Sequence, residues 1–369
     1  MKRFRTLAVL LALAFLGWTV SSGDDGPDHR ARQQLPIKLG TSGGPSNDFD
    51  PTFLSGEHCV NGTLGSAVTC NGVLHVLTNS HVLCRAPVGQ EVLQPGLWDT
   101  QCQPTGNVVA HTVGDLVPFA ESNVDAAIAL AVPGAVDPSG EILDIGVPCA
   151  NPVEPRIGMA VAKSGRATGL TFGTVQAVHL TIFLGFGPGG AQSICPNVDP
   201  KIQKKGYVQY NKAFSVAPNS LAAGDSGSLL VTNDASHNPV GTLLGGNPNV
   251  SFWSTASQVA EAFEPFCGGP GGFRFVGRTC TTAEFSESSV LAPQGSEVEF
   301  ARTIKERHVG RLMSDPAILG VGVGTSDRNP NEAVIVVYLE RGRRIDRAIP
   351  TELDGVRVKM ILTDAIVAM

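Results

Sequence analysis

Short apolar runs, broken at close intervals by Gly, Asn, Asp and Pro, make up most of the chain from Ile37 to Phe263. In the first part they include Gly65-Ser66-Ala67-Val68, Val73-Leu74-His75-Val76-Leu77, Val108-Val109-Ala110 and Ala127-Ile128-Ala129-Leu130. A second block from about Met159 repeats the pattern with Ala160-Val161-Ala162, Thr171-Phe172-Gly173-Thr174-Val175, Val208-Gln209-Tyr210, Ser228-Leu229-Leu230-Val231 and Val240-Gly241-Thr242-Leu243-Leu244. Runs of this length bounded by turn residues predict strands rather than helices. Two blocks of similar length predict two antiparallel barrels, because closure removes exposed sheet edges. Ser257 to Phe263 is expected to form a short helix that ends the second unit.

The pattern changes on either side of these blocks. Met1 to Ser22 combines a basic start (Lys2, Arg3, Arg5), an apolar stretch from Leu7 to Val20 and small residues at Val20-Ser21-Ser22. That is the plan of a secretory signal peptide, too short for a comfortable membrane span. Residues 23–34 are polar and read as a flexible leader. Residues 268–296, rich in Gly, Ser and Thr, read as a linker. Beyond it, Phe300 to Met313 has helical spacing, while Ile318–Val323, Ala333–Tyr338 and Val356–Ile361 read as strands. Residues 297–369 are therefore expected to form a small α+β module. The expected class is mainly β: two six-stranded-type antiparallel barrels over residues 35–267, followed by that module.

Composition narrows the function classes. With a net charge of −6 and no basic block, the chain lacks the electrostatic footprint of a nucleic-acid binder. Its eight cysteines form an even count, as expected of an exported protein with disulfides. Pairing is open, with about 105 possible connectivities. Cys84 is expected to bridge to Cys59 or Cys70, and Cys267 to Cys280. His58, His75, His111 and His179 show no metal-ligand spacing, so neither a metal nor another cofactor is expected.

Three separated segments carry the candidate chemistry: Leu77-Thr78-Asn79-Ser80-His81-Val82, Val124-Asp125-Ala126-Ala127-Ile128 and Gly224-Asp225-Ser226-Gly227-Ser228. A serine hydroxyl is a poor nucleophile until a base takes its proton; an imidazole suits that task, and a buried carboxylate fixes its tautomer. Glycines beside the serine let backbone N–H groups approach a developing oxyanion. Asp115 also follows His81 but lacks a small-apolar run to bury it, and Asp225 is too close to the serine to reach the imidazole. Gly185-Phe186-Gly187-Pro188-Gly189-Gly190 opens no helical pattern and is a plain loop rather than a nucleotide cradle.

In the order His, Asp, Ser, the three segments resemble the trypsin/chymotrypsin-like serine peptidase superfamily. Gly62-Thr63-Leu64-Gly65, Gln94-Pro95-Gly96 and Lys163-Ser164-Gly165-Arg166-Ala167-Thr168-Gly169 further resemble the bacterial relatives of the plant narrow-leaf trypsin-like protein. The resemblance covers about Leu35 to Phe266; one departure is Ala167, where that branch usually has Thr. It implies His81 as base and acid, Asp125 as its orienter, Ser226 as nucleophile, and the Gly224 and Ser226 N–H groups as oxyanion hole. By position relative to Ser226, Ser220 would floor the specificity pocket and Gly245 and Gly246 would line its wall. No Ile-Val-Gly-Gly start precedes the barrels, so Asp225 needs an internal partner, Arg166 or Lys163.

These features lead to the expectation of a secreted endopeptidase, extracellular or periplasmic, acting on peptide or protein substrates without stable membrane insertion. Two alternatives use the same residues: a serine esterase with this triad, and a catalytically silent binding protein using the cleft between the barrels. The sequence sets no oligomeric state.

Overall fold

The computed structural model describes residues 26–50, 58–59, 61–113, 123–186, 195, 203–204, 207–218, 221–247, 249–280 and 292–368. The signal segment, Asp115 and Ser220 lie outside the described residues, as do 187–190 of the glycine-rich loop.

In the first half, seven longer strands alternate with turns: β1 (Thr41–Pro45), β2 (Gly62–Leu64), β3 (Ser66–Cys70), β4 (Val73–Thr78), β5 (Glu91–Gln94), β6 (Asn107–Thr112) and β7 (Ala127–Ala131). Helix α1 (Ser80–Leu83) is a single turn after β4. The second half holds β8 (Ala160–Gly165), β9 (Gly169–Gly185), β10 (Tyr207–Ala217), β11 (Leu229–Thr232), β12 (Pro239–Asn247), β13 (Val250–Thr255), helix α2 (Ala256–Phe263) and β14 (Phe273–Phe275). Helix α3 (Gly295–Leu312), β15 (Ile318–Thr325), β16 (Ala333–Glu340) and β17 (Val356–Thr363) complete the chain.

The first sheet runs β14-β3-β4-β7-β6-β5-β1-β2. Because β2 and β3 are one strand kinked at Gly65, the sheet returns to its own start and closes. Its interior is aliphatic, with Leu64, Val68, Val76, Val92 and Val109 all nearly or fully buried. The second sheet contains the run β10-β13-β12-β11-β8-β9, and β9 also pairs with β10, which closes a second antiparallel barrel. Trp253 and Phe214 fill one end of its core. The mainly β, two-barrel, trypsin-like architecture expected from the sequence is the architecture observed. Helix α2 begins at Thr255 with a reciprocal capping box to Gln258, which satisfies the N-terminal amides that an uncapped helix leaves orphaned.

The C-terminal segment is not set apart from the second barrel. At 17 residues, β9 outruns β8, and β15 takes up the edge left beyond it, pairing from Ala177↔Gly324 to Ile182↔Gly320. Gly320, Gly322 and Gly324 recur at every second position, and so share one face. A Cβ on Gly322 would sit 2.3 Å from Leu180 Cδ2, so the missing side chains let the strand close onto the barrel. Val321 and Val323 on the opposite face join Ala301 and Ile304 of α3 in a separate core. Lys305 of α3, buried, donates to Thr181 Oγ1 of β9 at 2.9 Å.

Several local expectations are corrected. The leader stretch expected to be flexible is, over its described part, mostly exposed but tethered: His29 Nε2 meets Asp144 Oδ2 at 2.8 Å, and Arg30 donates to Ala167 O at 3.1 Å. Neither disulfide expectation holds. The bridges are Cys59–Cys102, Cys70–Cys267, Cys84–Cys195 and Cys149–Cys280, spanning 43, 197, 111 and 131 positions. Cys267 and Cys280 each find a partner far back in the chain because β14 lies along β3, carrying the start of the expected linker across the first barrel. No described helix is long and apolar enough to cross a membrane.

Candidate active site

Three turns meet where the barrels abut. His81 stands in α1, held just past the end of β4; Asp125 precedes β7; Ser226 lies in the turn before β11. The strands β4 and β7 are neighbours, paired from His75↔Leu130 to Thr78↔Ala127, so their ends bring histidine and aspartate together. His81 Nδ1 lies 2.5 Å from Asp125 Oδ2, and the backbone N–H of His81 donates to Oδ1 at 3.2 Å. On its other side, His81 Nε2 is 2.8 Å from Ser226 Oγ. Asp125 is fully buried, so its charge is poised against the imidazole rather than diluted by water.

Asn79, for which the sequence alone suggests no role, joins the segments that carry His81, Asp125 and Ser226. Its Nδ2 donates to Asp125 O and to Leu243 O, the latter at 2.7 Å, and its Oδ1 accepts from Gly227 N–H. An amide supplies donors and acceptor in one planar group, as this three-way bridge requires. Its position two residues before the histidine was the available signal.

The turn that carries Ser226 is shaped by glycine. Gly224 and Gly227 adopt φ of +102° and +100°, which L side chains rarely tolerate. A Cβ at Gly227 would approach Thr63 O to 2.1 Å. Thr63 in turn donates through Oγ1 to Gly224 O at 2.8 Å and through its N–H to Ser226 O at 2.7 Å. Among the described residues, the N–H groups of Gly224 and Ser226 have no acceptor, which leaves two neighbouring donors free beside Ser226 Oγ.

Asp225 is buried and fully occupied. Its carboxylate accepts from Ala167 N (2.9 Å), Thr168 N (3.2 Å), Thr168 Oγ1 (2.8 Å) and Ala222 N (3.1 Å). Lys163 Nζ stands 3.4 Å away. Burial pulls the Lys163 pKa below the ordinary lysine value, and the Asp225 charge opposes that shift. Arg166, the other sequence candidate, faces elsewhere: it grips Asp99 with two bonds of 2.7 and 2.5 Å. Its Nη1 is so close to Gly224 that a Cβ there would come within 2.4 Å, so the pair forms a wall behind the Ser226 turn.

Gly245 and Gly246 lie on the part of β12 that runs beyond β11; Gly246 faces Leu221, whose Cδ1 would be 3.0 Å from a Cβ at that position. Among the described residues, no group of three or more His, Cys, Asp or Glu side chains is gathered as a metal site.

No family model matches the chain, and no curated protein does. Solved structures do resemble it. One is a glutamic acid-specific serine protease described as using a histidine triad in substrate binding: 17% identity over 65% of this chain and 100% of that one, TM-score 0.43. Another is protease A of Thermobifida fusca, at 16% identity over 66% and 99%, TM-score 0.41. A chymotrypsin of Cellulomonas bogoriensis shows 18% identity over 58% and 91%, TM-score 0.38.

Proposed function

We propose that this chain is an exported serine endopeptidase. The observation that supports this reading is the continuous hydrogen-bond relay from Asp125 through His81 to Ser226, with two N–H donors beside the hydroxyl that have no acceptor among the described residues. The chemistry follows from that arrangement. Ser226 Oγ attacks the scissile carbonyl carbon while His81 Nε2 takes its proton. The carbonyl oxygen gains charge and is met by the Gly224 and Ser226 N–H groups. The C–N bond then breaks as Nε2 gives its proton to the departing amine, leaving an ester on Ser226. A water, deprotonated by His81, attacks that ester; the carboxylic acid departs and the hydroxyl is restored. The four disulfides favour an oxidising compartment, in keeping with the signal-like start of the chain.

Labelling with a fluorophosphonate is the test. Wild type is expected to label at Ser226 and the Ser226→Ala variant not at all; equal labelling of the two, or none of either, would sink the reading. Cleavage of labelled casein separates a peptidase from an esterase that turns over only activated esters.

A further inference from the structure

Beyond Leu243 the edge of β12 that faces β11 is free of barrel strands, and a peptide lies along it. That peptide is a later segment of the same chain, residues 366–368. Gly246 N–H donates to Val367 O at 2.9 Å, and Val367 N–H donates to Gly246 O at 3.2 Å, an antiparallel pair. From the other side Gly185, the last residue of β9, donates to Ile366 O at 2.9 Å and accepts from Ala368 N–H at 3.0 Å. Residues 366–368 thus complete a three-strand ribbon. The side chains alternate as in a strand: Ile366 is fully buried in the core formed with Leu184, Phe186 and Leu244, while Val367 is 36% exposed.

Direction gives this contact its meaning. Strand β12 leaves the site at Leu243, whose carbonyl is held by Asn79, and runs away from it to Asn247. An antiparallel partner therefore runs back toward the site. Strand β9 gives the same answer independently. The tail is parallel to it at Gly185, and the next residue, Phe186, packs edge-on against the His81 ring with centroids 6.1 Å apart. Gly245 fits the same picture: a Cβ there would lie 2.1 Å from Val367 O, so this edge is built for another backbone to lie against it. Asn247 secures the entry, donating to Thr363 Oγ1 at 2.8 Å and to Asp364 O at 3.3 Å.

We infer that residues 364–368 occupy the edge on which an extended substrate peptide would be bound, and so act as an intramolecular competitive inhibitor. The C-terminal segment delivers this tail directly from β17. The inference rests on the proposed peptidase activity. It also assigns the recognition mode: a peptide added as a strand between Gly185 and Gly246, recognised first through its backbone. Because Ile366 and Ala368 face inward, the residues preceding the scissile bond are expected to be small or aliphatic at alternate positions.

The test uses the full chain. In Val367→Pro the donor to Gly246 is lost and the ring cannot sit in the paired position. Losing paired backbone bonds of this kind predicts a gain of about tenfold in kcat/KM on labelled casein. Labelling by a small fluorophosphonate should be unchanged, since it does not need the strand edge. A chain ending at Thr363 should show the same gain, reversed competitively by a synthetic peptide of residues 363–369. If that shortened chain fails to fold, Val367→Pro decides alone. Normal labelling with unchanged casein turnover in folded Val367→Pro overturns the tail inference; absence of labelling in every form overturns the peptidase reading instead.

Discussion

Arg166 and Lys163 are both buried cations within a few residues of one another, yet the structure gives them unequal tasks. Asp99, itself nearly buried, receives both arms of Arg166 along with Ser42 Oγ at 2.5 Å and Asn61 Nδ2 at 3.0 Å. Removing Arg166 strips the nearly buried Asp99 carboxylate of the only cation paired with it among the described residues and opens space behind Gly224. Arg166→Ala is expected to cost about 3–5 kcal/mol, the usual penalty for orphaning a buried charge. Lys163 stands farther from Asp225, which keeps four other hydrogen bonds, so Lys163→Met should cost clearly less when both variants are unfolded by urea titration. The two variants also differ in pH dependence. Since burial lowers the Lys163 pKa, the unfolded chain holds that proton more tightly than the folded one. Stability therefore rises with pH between the lowered folded value and the ordinary value of 10.5, and is lost as pH falls through that window. Lys163→Met should flatten that slope and Arg166→Ala should keep it; an unaltered slope in Lys163→Met would contradict the assignment.

At the scale of elements, β9 and β15 explain what the sequence disclosed and what it hid. The apolar runs named the strands of both barrels, because a run between turn residues is a local signal. Which strand lies beside which is not local. Nothing in Ile318-Leu319-Gly320-Val321-Gly322-Val323 says that its glycines face Leu180 and Ile182, so the segment reads as part of a separate module while its strand in fact extends the second sheet. The same reason hid the disulfides, whose partners meet only after the barrels close. By contrast, His81, Asp125 and Ser226 were legible because each sits in a short segment whose composition is itself unusual. Asn79 was less so: its three partners come from three separate parts of the chain. The glycine face makes a direct prediction. In Gly322→Ala the new methyl must displace the Leu180 side chain, which is fully buried, and overpacking of this kind costs about 1–3 kcal/mol. Thermal unfolding should show that loss, whereas Gly310→Ala, on α3 where a Cβ would meet nothing within 4 Å, should be neutral or stabilising. Equal effects at the two positions would mean that β15 is not packed as described.

Over the whole molecule, the site exists only while the two barrels hold their mutual position, since His81 and Asp125 come from one and Ser226 from the other. One covalent link crosses close to it. Cys84, three residues after His81 and adjoining the end of α1, is bonded to Cys195 in the connection between β9 and β10. Cys149–Cys280 also closes a long loop, of 131 positions against 111, but neither of its cysteines adjoins a segment that carries His81, Asp125 or Ser226. Loop entropy makes the two bridges nearly equal in stability, so removing either by paired Cys→Ala substitution should cost about 2–5 kcal/mol. Their effects on turnover should differ. A catalytic group misplaced by about 1 Å can lose roughly 100-fold in rate. Cys84→Ala with Cys195→Ala is therefore expected to lower the rate of fluorophosphonate labelling at least tenfold, measured well below its melting temperature. Cys149→Ala with Cys280→Ala should label at the wild-type rate under the same conditions. Matched labelling rates in the two double variants would show that the barrels align His81, Asp125 and Ser226 by packing alone; a selective loss in the first would assign Cys84–Cys195 to holding His81 in place, since both bridges stabilise the fold but only one adjoins the imidazole.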